Sequence, residues 1–451
     1  MLSRLTAALP GGVVVTDPAA MEKYREDFAR DGSAGRPIAV VRAENAEQVQ
    51  VALRWASEHG VPVVPRGAGT GLSGGSSAVE GGITISLDRM RRIEIDAASQ
   101  VAVVEPGALN AEVKRAAAEF GLWYPPDPSS YEMCSIGGNV ATNAGGLCCV
   151  KYGVTGDYVL GLDVVLADGT LISLGGKRIK DVAGLSLLKL FVGSEGTLGV
   201  VTRAILRLVP IQTAGATLVA GFASMTDAAE AVVAIRSRVR PSMLELMDNA
   251  SINAVEDWRT HGLDRACGAL LVAQSDAPGG ACEAEIATIA ACCTDAGADA
   301  VFSTTDPREA ELFVAARRNV ILALESRGTV LFEDVGVPVP LLPELVGRVA
   351  SIAADHGLEI ALVAHAGDGN THPLIVFDPA DPVAAEAARQ AFDELMSAAL
   401  DLGGTITGEH GVGRAKKGAL PRQLGEDVMA LTRRVKHALD PDGILNPGAI
   451  I

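Results

Sequence analysis

Short apolar runs alternate with amphipathic stretches along most of the chain. Pro37-Ile-Ala-Val-Val41 predicts a strand, and Asn45 to His59 predicts a helix because Val49, Ala52, Leu53 and Ala56 recur at helical spacing. Val61 to Val64 reads as the next strand and completes an opening β-α-β unit. Strands are then predicted over Ile83–Leu87, Val101–Val104, Gly161–Leu166 and Val200–Leu208, with a helix through Ala108–Phe120. The pattern breaks at Pro210-Ile-Gln-Thr213, which predicts a domain boundary. Beyond it a second α+β unit opens with a strand at Thr217–Ala220 and a helix at Ala228–Arg238. It continues through a helix at Glu285–Ala296, a strand at Val301–Ser303 and a single helix at Glu309–Arg327. A strand at Val330–Val335, a helix at Leu342–His356 and a strand at Leu362–His365 follow. No internal repeat or low-complexity linker interrupts this alternation.

Length and composition narrow the classes. A chain of 451 residues exceeds the roughly 250–300 at which one hydrophobic core stops growing, so two or more domains are expected. With 48% hydrophobic and 21% charged residues, the chain is an ordinary globular mixture rather than a disordered one. No 18-residue stretch is free of charge, which argues against a membrane-spanning helix. The opening MLSRLTAALPGG is too short in its apolar part for a secretory signal. A formal charge of −17 argues against nucleic acid as a partner, since a phosphate binder needs a basic face. An anionic substrate would then require a local cation. The seven cysteines form no CxxC, so neither a disulfide framework nor a thiolate zinc site is suggested. Idle thiols in a reducing cytoplasm are the plainer reading.

Three glycine-rich clusters carry the first chemistry. Gly69-Thr-Gly-Leu-Ser-Gly74, inside Pro65–Gly75, satisfies the dinucleotide pattern GxGxxG. That pattern works through a helix whose N-terminus faces the pyrophosphate, yet here the predicted strand Ile83–Leu87 follows. What survives is a loop whose backbone N–H groups could surround an anion; a wide turn is the competing reading. Tyr124-Pro-Pro-Asp-Pro-Ser-Ser130, Ser135-Ile-Gly-Gly-Asn139 and Thr142-Asn-Ala-Gly-Gly146 make up the second cluster, a run of small polar residues suited to close backbone approach to a large ligand. Phe191-Val-Gly-Ser-Glu-Gly-Thr-Leu-Gly199 is the third.

A different chemistry is suggested downstream. His365-Ala-Gly-Asp-Gly-Asn-Thr-His372 sets two imidazoles on either side of a turn, and a hairpin there would bring them toward one point. Gly403-Gly-Thr-Ile-Thr-Gly-Glu-His-Gly-Val-Gly413 adds Glu409 and His410. Two imidazoles and a carboxylate suit Zn(II), Mn(II) or Fe(II), although each histidine taken singly reads more readily as a turn residue. Arg317 and Arg318 lie in a helix that Asp306 caps and Pro307 starts, with Glu309 three residues after the cap. At least one of these two arginines should be solvated.

The three glycine clusters, in this order and spacing, resemble the FAD-binding domain of the vanillyl-alcohol oxidase / p-cresol methylhydroxylase family, in its glycolate oxidase flavoprotein subunit / D-lactate dehydrogenase branch. The resemblance runs from about Pro37 to Asn446-Pro-Gly448. It implies an α+β fold: a two-subdomain FAD-binding domain over 1–210, an α+β substrate (cap) domain with an antiparallel sheet over 211–400, and a segment, 401–451, returning to the FAD domain. It implies that Arg66, Gly67, Ala68, Gly69, Thr70, Gly71, Ser73 and Gly74 wrap the FAD pyrophosphate. Ser135, Gly138, Asn139, Thr142, Gly145 and Gly146 would line the flavin and ribityl chain, and Glu195, Gly196 and Val200 the adenosine side. Pro126, Tyr152 and Asn446 join the implied cofactor contacts. With no histidine in the matching loops, FAD is expected to be non-covalent.

The same resemblance makes His365, His372 and Glu409 ligands of a divalent metal, zinc or manganese, with His410 as base and Arg317 as carboxylate clamp. It implies oxidation of a small D-2-hydroxy acid such as D-lactate or glycolate by hydride transfer to flavin. Lacking a cysteine cluster, the chain would pass electrons to an external acceptor: a quinone, a cytochrome, an electron-transfer flavoprotein or a partner subunit. A homodimer and peripheral membrane attachment are compatible with it. The sister D-2-hydroxyglutarate dehydrogenases place a lysine and an asparagine where this chain has Phe332 and Leu374, which predicts a monocarboxylate substrate; a one-residue slip would put Glu333 at the site instead. A sugar or alditol oxidase, which needs no metal triad, and a non-catalytic flavoprotein subunit are the rival readings.

Overall fold

The protein is described by a computed structural model covering residues 1–451 apart from 31, 33, 213 and 214. Thr213, the last residue of the expected boundary, lies outside the described residues. The fold is mixed α and β and divides into two compact units. One comprises Met1–Gly145, Val154–Ile211 and Glu409–Ile451; the other comprises Gly146–Gly153 and Gln212–Gly408.

The first unit has two sheets. In one, Ala39–Arg42, Ile83–Ser86 and Val63–Arg66 run parallel, with Val14–Val15 antiparallel at the edge of Ala39–Arg42. The helix Ala46–His59 connects two of these strands. It starts where Asn45 Oδ1 accepts the Gln48 N–H at 3.0 Å and ends at Gly60, whose φ of 61° suits glycine. Its Val49, Ala52, Leu53 and Ala56 are all buried, together with Val41, Val63, Ile83 and Ile85. No helix lies between the glycine-rich loop and the strand Ile83–Ser86, so the dinucleotide fingerprint lacks its helix here. The C-terminal chain extends this sheet: Val63 N–H donates to Ile444 O at 2.8 Å and Asn446 N–H to Val63 O at 2.7 Å. The second sheet is antiparallel, in the order Ile93–Asp96, Val101–Val104, Val200–Arg207, Val159–Val165, Leu171–Gly175.

The second unit is built on one antiparallel sheet. Its order is Ala300–Thr304, Ala216–Phe222, Ala269–Ser275, Met243–Asp248, Glu359–His365, Asn370–Phe377, Thr329–Phe332, with Val335–Gly336 also pairing to Asn370–Phe377. Residues directly opposite one another on antiparallel strands project to the same side. The pairs Glu245↔Val272, Met247↔Val363, Val363↔His372, Ala361↔Leu374 and Phe332↔Leu374 therefore put Glu245, Met247, His365, His372, Leu374 and Phe332 on one face. That face carries the core of the unit, where Met247, Val363 and Leu374 pack with Ile252, Val255, Val314, Val320 and Leu324 from three helices.

Several elements differ from the sequence reading. The expected helix Glu309–Arg327 is two, Pro307–Arg318 and Val320–Glu325, joined at Asn319, a residue whose amide competes with helical hydrogen bonds. The expected strand Val330–Val335 stops at Phe332 and resumes at Val335, because Glu333 and Asp334 turn their carboxylates to other partners. Ile136–Thr142, to which the pattern assigned no element, is a short helix capped by Ser135. Met243–Asp248, Asn249–Trp258, Ala269–Ser275 and Pro382–Asp401 had no assignment from the pattern. Among the described residues no helix is long and apolar enough to cross a membrane.

Candidate functional site

The loop after Val63–Arg66 closes around its own arginine. Arg66 donates to Ser76 O at 3.0 Å and to Glu26 O at 2.8 Å, so its guanidinium is a strut inside the loop. A Cβ on Gly69, at φ +77°, would come within 2.2 Å of that guanidinium, and one on Gly67 within 2.3 Å of Ser135 Oγ. Only glycine leaves room for the main chain to pass at these points. Ser135 joins two of the predicted clusters: its Oγ accepts the Ala68 N–H at 3.1 Å and caps Gly138 at 3.4 Å. Asn139 is buried and its Oδ1 accepts from Asn110, whose amide also reaches Pro126 O at 3.2 Å. Thr142 Oγ1 donates back to Gly138 O.

The third cluster meets the C-terminal segment in the same unit. Glu195 accepts the N–H groups of Val412 and Gly413, each at 2.8 Å. Asn446 Nδ2 donates to Gly75 O at 2.8 Å and to Glu195 O at 2.7 Å. Gly196 takes φ +72° against the ring of Pro65, and Val200 is buried at the start of its strand, opposite Val165. Ser73 Oγ donates to Gly411 O at 2.8 Å. The polar side chains of Arg66, Ser73, Glu195 and Asn446 are thus engaged within the protein. Gly145 ends one stretch of this unit, whereas Gly146 and Tyr152 belong to the other unit, where the Tyr152 hydroxyl donates to Asp276.

In the second unit the Ala366-Gly-Asp-Gly369 turn joins His365 to Asn370 across the hairpin. Gly369 sits at φ +82° with Val337 O only 2.1 Å from where a Cβ would be. The hairpin brings the two imidazoles together: the rings of His365 and His372 are 5.0 Å apart at 84°, and both are buried. Glu245, which the sequence reading missed, lies 1% exposed beside them. His365 Nδ1 faces its carboxylate at 2.8 and 3.0 Å, which fixes the ring's orientation and leaves Nε2 on the opposite edge. Arg317 Nε lies 3.0 Å from the same carboxylate. Arg317 is 4% exposed, yet its Nη2 has no hydrogen-bond partner among the described residues. Arg318 is half-buried and pairs with Glu311.

Asp334, also missed, holds the other end of the hairpin. Its carboxylate accepts from Asn370 Nδ2 at 2.6 Å, Thr407 Oγ1 at 2.6 Å and Gly408 N–H at 3.0 Å, and stands 3.8 Å from His372 Nδ1. A Cβ at Gly408 would overlap Asn370 at 1.7 Å, so this residue must be glycine. The only sequence signal for Glu245 and Asp334 was a carboxylate interrupting an apolar run. Glu409 and His410, the next two residues, are counted with the first unit, their side chains 3.8 Å apart.

Comparison with known proteins agrees with this architecture. Residues 37–175 match the FAD binding domain model, and residues 211–450 match the model for the C-terminal domain of FAD linked oxidases. The chain is 42% identical to glycolate oxidase subunit GlcD of Bacillus subtilis over 91% of its length and 88% of that protein. It is 36% identical to a D-lactate dehydrogenase of Archaeoglobus fulgidus over 93% of its length and 92% of that protein. In fold it is similar to p-cresol methylhydroxylase, with a TM-score of 0.82 at 18% identity over 99% of this chain and 95% of the other. With both halves matched and such identity along nearly its whole length, the chain belongs to the FAD-linked oxidase family and is an FAD-dependent oxidoreductase.

Proposed function

We propose that the protein oxidises a small D-2-hydroxy acid, D-lactate or a close analogue, to the 2-oxo acid. One observation carries this reading. Arg317 is a buried guanidinium with an unsatisfied Nη2, in the helix packed on the sheet face that bears His365 and His372. A buried arginine with donors to spare is suited to a carboxylate in bidentate contact. The similarity to a D-lactate dehydrogenase supports the same substrate class.

The chain's residues divide the work as follows. Arg317 holds the substrate carboxylate, and Glu245 keeps that guanidinium in place through their ion pair. The apolar pair Phe332 and Leu374, opposed in register and on the face of His372, walls the far end of the substrate and disfavours a second carboxylate. His410 takes the hydroxyl proton as the Cα–H bond breaks. The glycine-rich loops would hold FAD without a covalent tether, and the flavin would supply the hydride acceptor, with an external acceptor needed for the electrons. The two buried imidazoles, with His365 oriented by Glu245, also suit a divalent metal, for which the family resemblance implies Glu409 as a further ligand. Such a metal, zinc or manganese, would supply a Lewis acid for the substrate hydroxyl.

The test is anaerobic mixing of the flavoprotein with D- and L-lactate, glycolate, 2-hydroxybutyrate, 2-hydroxyglutarate and mandelate. Bleaching of the flavin by D-lactate or D-2-hydroxybutyrate is expected. Flavin that stays oxidised with every 2-hydroxy acid would refute the proposal.

A further inference from the structure

Glu195 is an unusual residue for the work it does. Its backbone is left-handed at φ +48°, a conformation that costs a glutamate energy, and its side chain is 7% exposed. Both carboxylate oxygens are used: Oε1 accepts the Val412 N–H and Oε2 the Gly413 N–H, each at 2.8 Å. Glycines clear the space around it. A Cβ on Gly75 would reach Oε2 at 2.9 Å, and one on Gly411 would reach Oε1 at 2.8 Å. The neighbouring contacts all act on the same short segment. Ser73 Oγ donates to Gly411 O, Arg414 N–H to Ser73 O at 2.8 Å, and the Arg414 guanidinium to Ser77 O at 2.8 Å and Asn446 Oδ1 at 3.0 Å. With one oxygen on each of two successive main-chain N–H groups, the buried Glu195 side chain holds that segment at two points. Glu195 therefore fixes the chain two and three residues past His410, and its carboxylate is spent on protein amides.

We propose that Glu195 is the positioning residue of His410: by clamping Val412 and Gly413 it holds the imidazole in the orientation that takes the substrate's hydroxyl proton. This rests on the reading of His410 as the base. The carboxylate acts through the main chain and touches no reacting atom.

Glu195→Gln in the FAD-loaded enzyme tests it, because the amide keeps one acceptor and turns an NH2 toward the second N–H. FAD content per chain should be unchanged. With D-lactate, kcat should fall roughly tenfold to a hundredfold, the size of one buried N–H left unsatisfied, while KM stays within about twofold. Hydrogen exchange of the peptide spanning 408–416 should quicken by at least about tenfold, with peptides of the second unit unaffected. Glu195→Asp, which keeps the charge with a shorter reach, should recover part of kcat, and it carries the same comparison if the glutamine variant does not fold. A kcat within twofold of wild type, or unchanged exchange, would overturn the proposal. So would a loss of activity that follows a loss of FAD, since the carboxylate would then serve the cofactor cradle. Wild-type flavin unbleached by any 2-hydroxy acid would remove the role of His410 itself, and the exchange measurement would show separately whether the clamp exists.

Discussion

Glu245 links His365 and Arg317 in the polar cluster of the second unit, and Glu245→Gln measures what that link is worth. The carboxylate is 1% exposed and lies 2.8 Å from His365 Nδ1 and 3.0 Å from Arg317 Nε. The amide can still accept the imidazole N–H, but it leaves Arg317 buried without its counterion. Breaking a buried ion pair from one side costs about 3–5 kcal/mol, because the remaining charge has lost both water and partner. In a unit of about 200 residues each kcal/mol lowers Tm by roughly 2–4 °C, so the calorimetric transition of this unit should drop by roughly 6–20 °C. The double variant Glu245→Gln with Arg317→Gln removes both charges and should regain most of that loss, since no bare charge remains. Metal retention, measured by elemental analysis after dialysis, should weaken by about ten- to a hundredfold in the single variant as His365 loses its orienting anion. A single variant destabilised by less than about 1 kcal/mol, or a double variant no more stable than the single, would refute this reasoning.

Three further outcomes are expected. Chelation should abolish turnover yet leave FAD bound and acid-extractable, and His372→Ala should behave like the chelated enzyme; full activity in metal-free protein would end the Lewis-acid role. D-lactate should exceed D-2-hydroxyglutarate by at least about tenfold in kcat/KM, the worth of a charged hydrogen bond that Phe332 and Leu374 cannot make. Phe332→Lys should narrow that gap and Arg317→Ala should cripple both substrates, whereas equal turnover by the unmodified enzyme would contradict it. Glu195 is pushed up from 4.5 to about 7, chiefly by burial and in smaller part by nearby Asp27, against the Val412 and Gly413 N–H groups and Arg414, which pull it down. The folded protein therefore keeps this proton to higher pH than the unfolded chain. The group's contribution is full below about pH 4.5 and is lost as pH rises through about 7, a swing of up to about 3 kcal/mol. Urea unfolding of wild type and Glu195→Gln between pH 5 and 8 should show their stability difference moving against the wild type, and a constant difference would count against the buried carboxylate.

Local chemistry made part of this protein legible from its sequence. The helix Ala46–His59 followed from the spacing of Val49, Ala52, Leu53 and Ala56 and from Asn45 as its cap, because those signals lie within one or two turns of chain. The approach of His365 to His372 followed from the glycine-rich turn in the eight-residue stretch that the two histidines bound. The three glycine clusters pointed to the FAD-linked family, since only glycine permits the close passages seen at Gly67 and Gly69. Other features depended on tertiary structure. Glu245 meets His365 across 120 residues, and Glu195 meets Val412 across 217. Neither partner can be inferred from its own surroundings, because the sheet register and the return of the C-terminal chain decide which side chains share a face. Gly146–Gly153 joins the second unit although it follows a cofactor cluster in sequence, and the strand breaks at Glu333-Asp334, where Asp334 serves Asn370, Thr407 and Gly408. A carboxylate in an apolar run can signal a bend, a surface or a buried ion pair. Which it is depends on the donors that folding brings within about 3 Å of it.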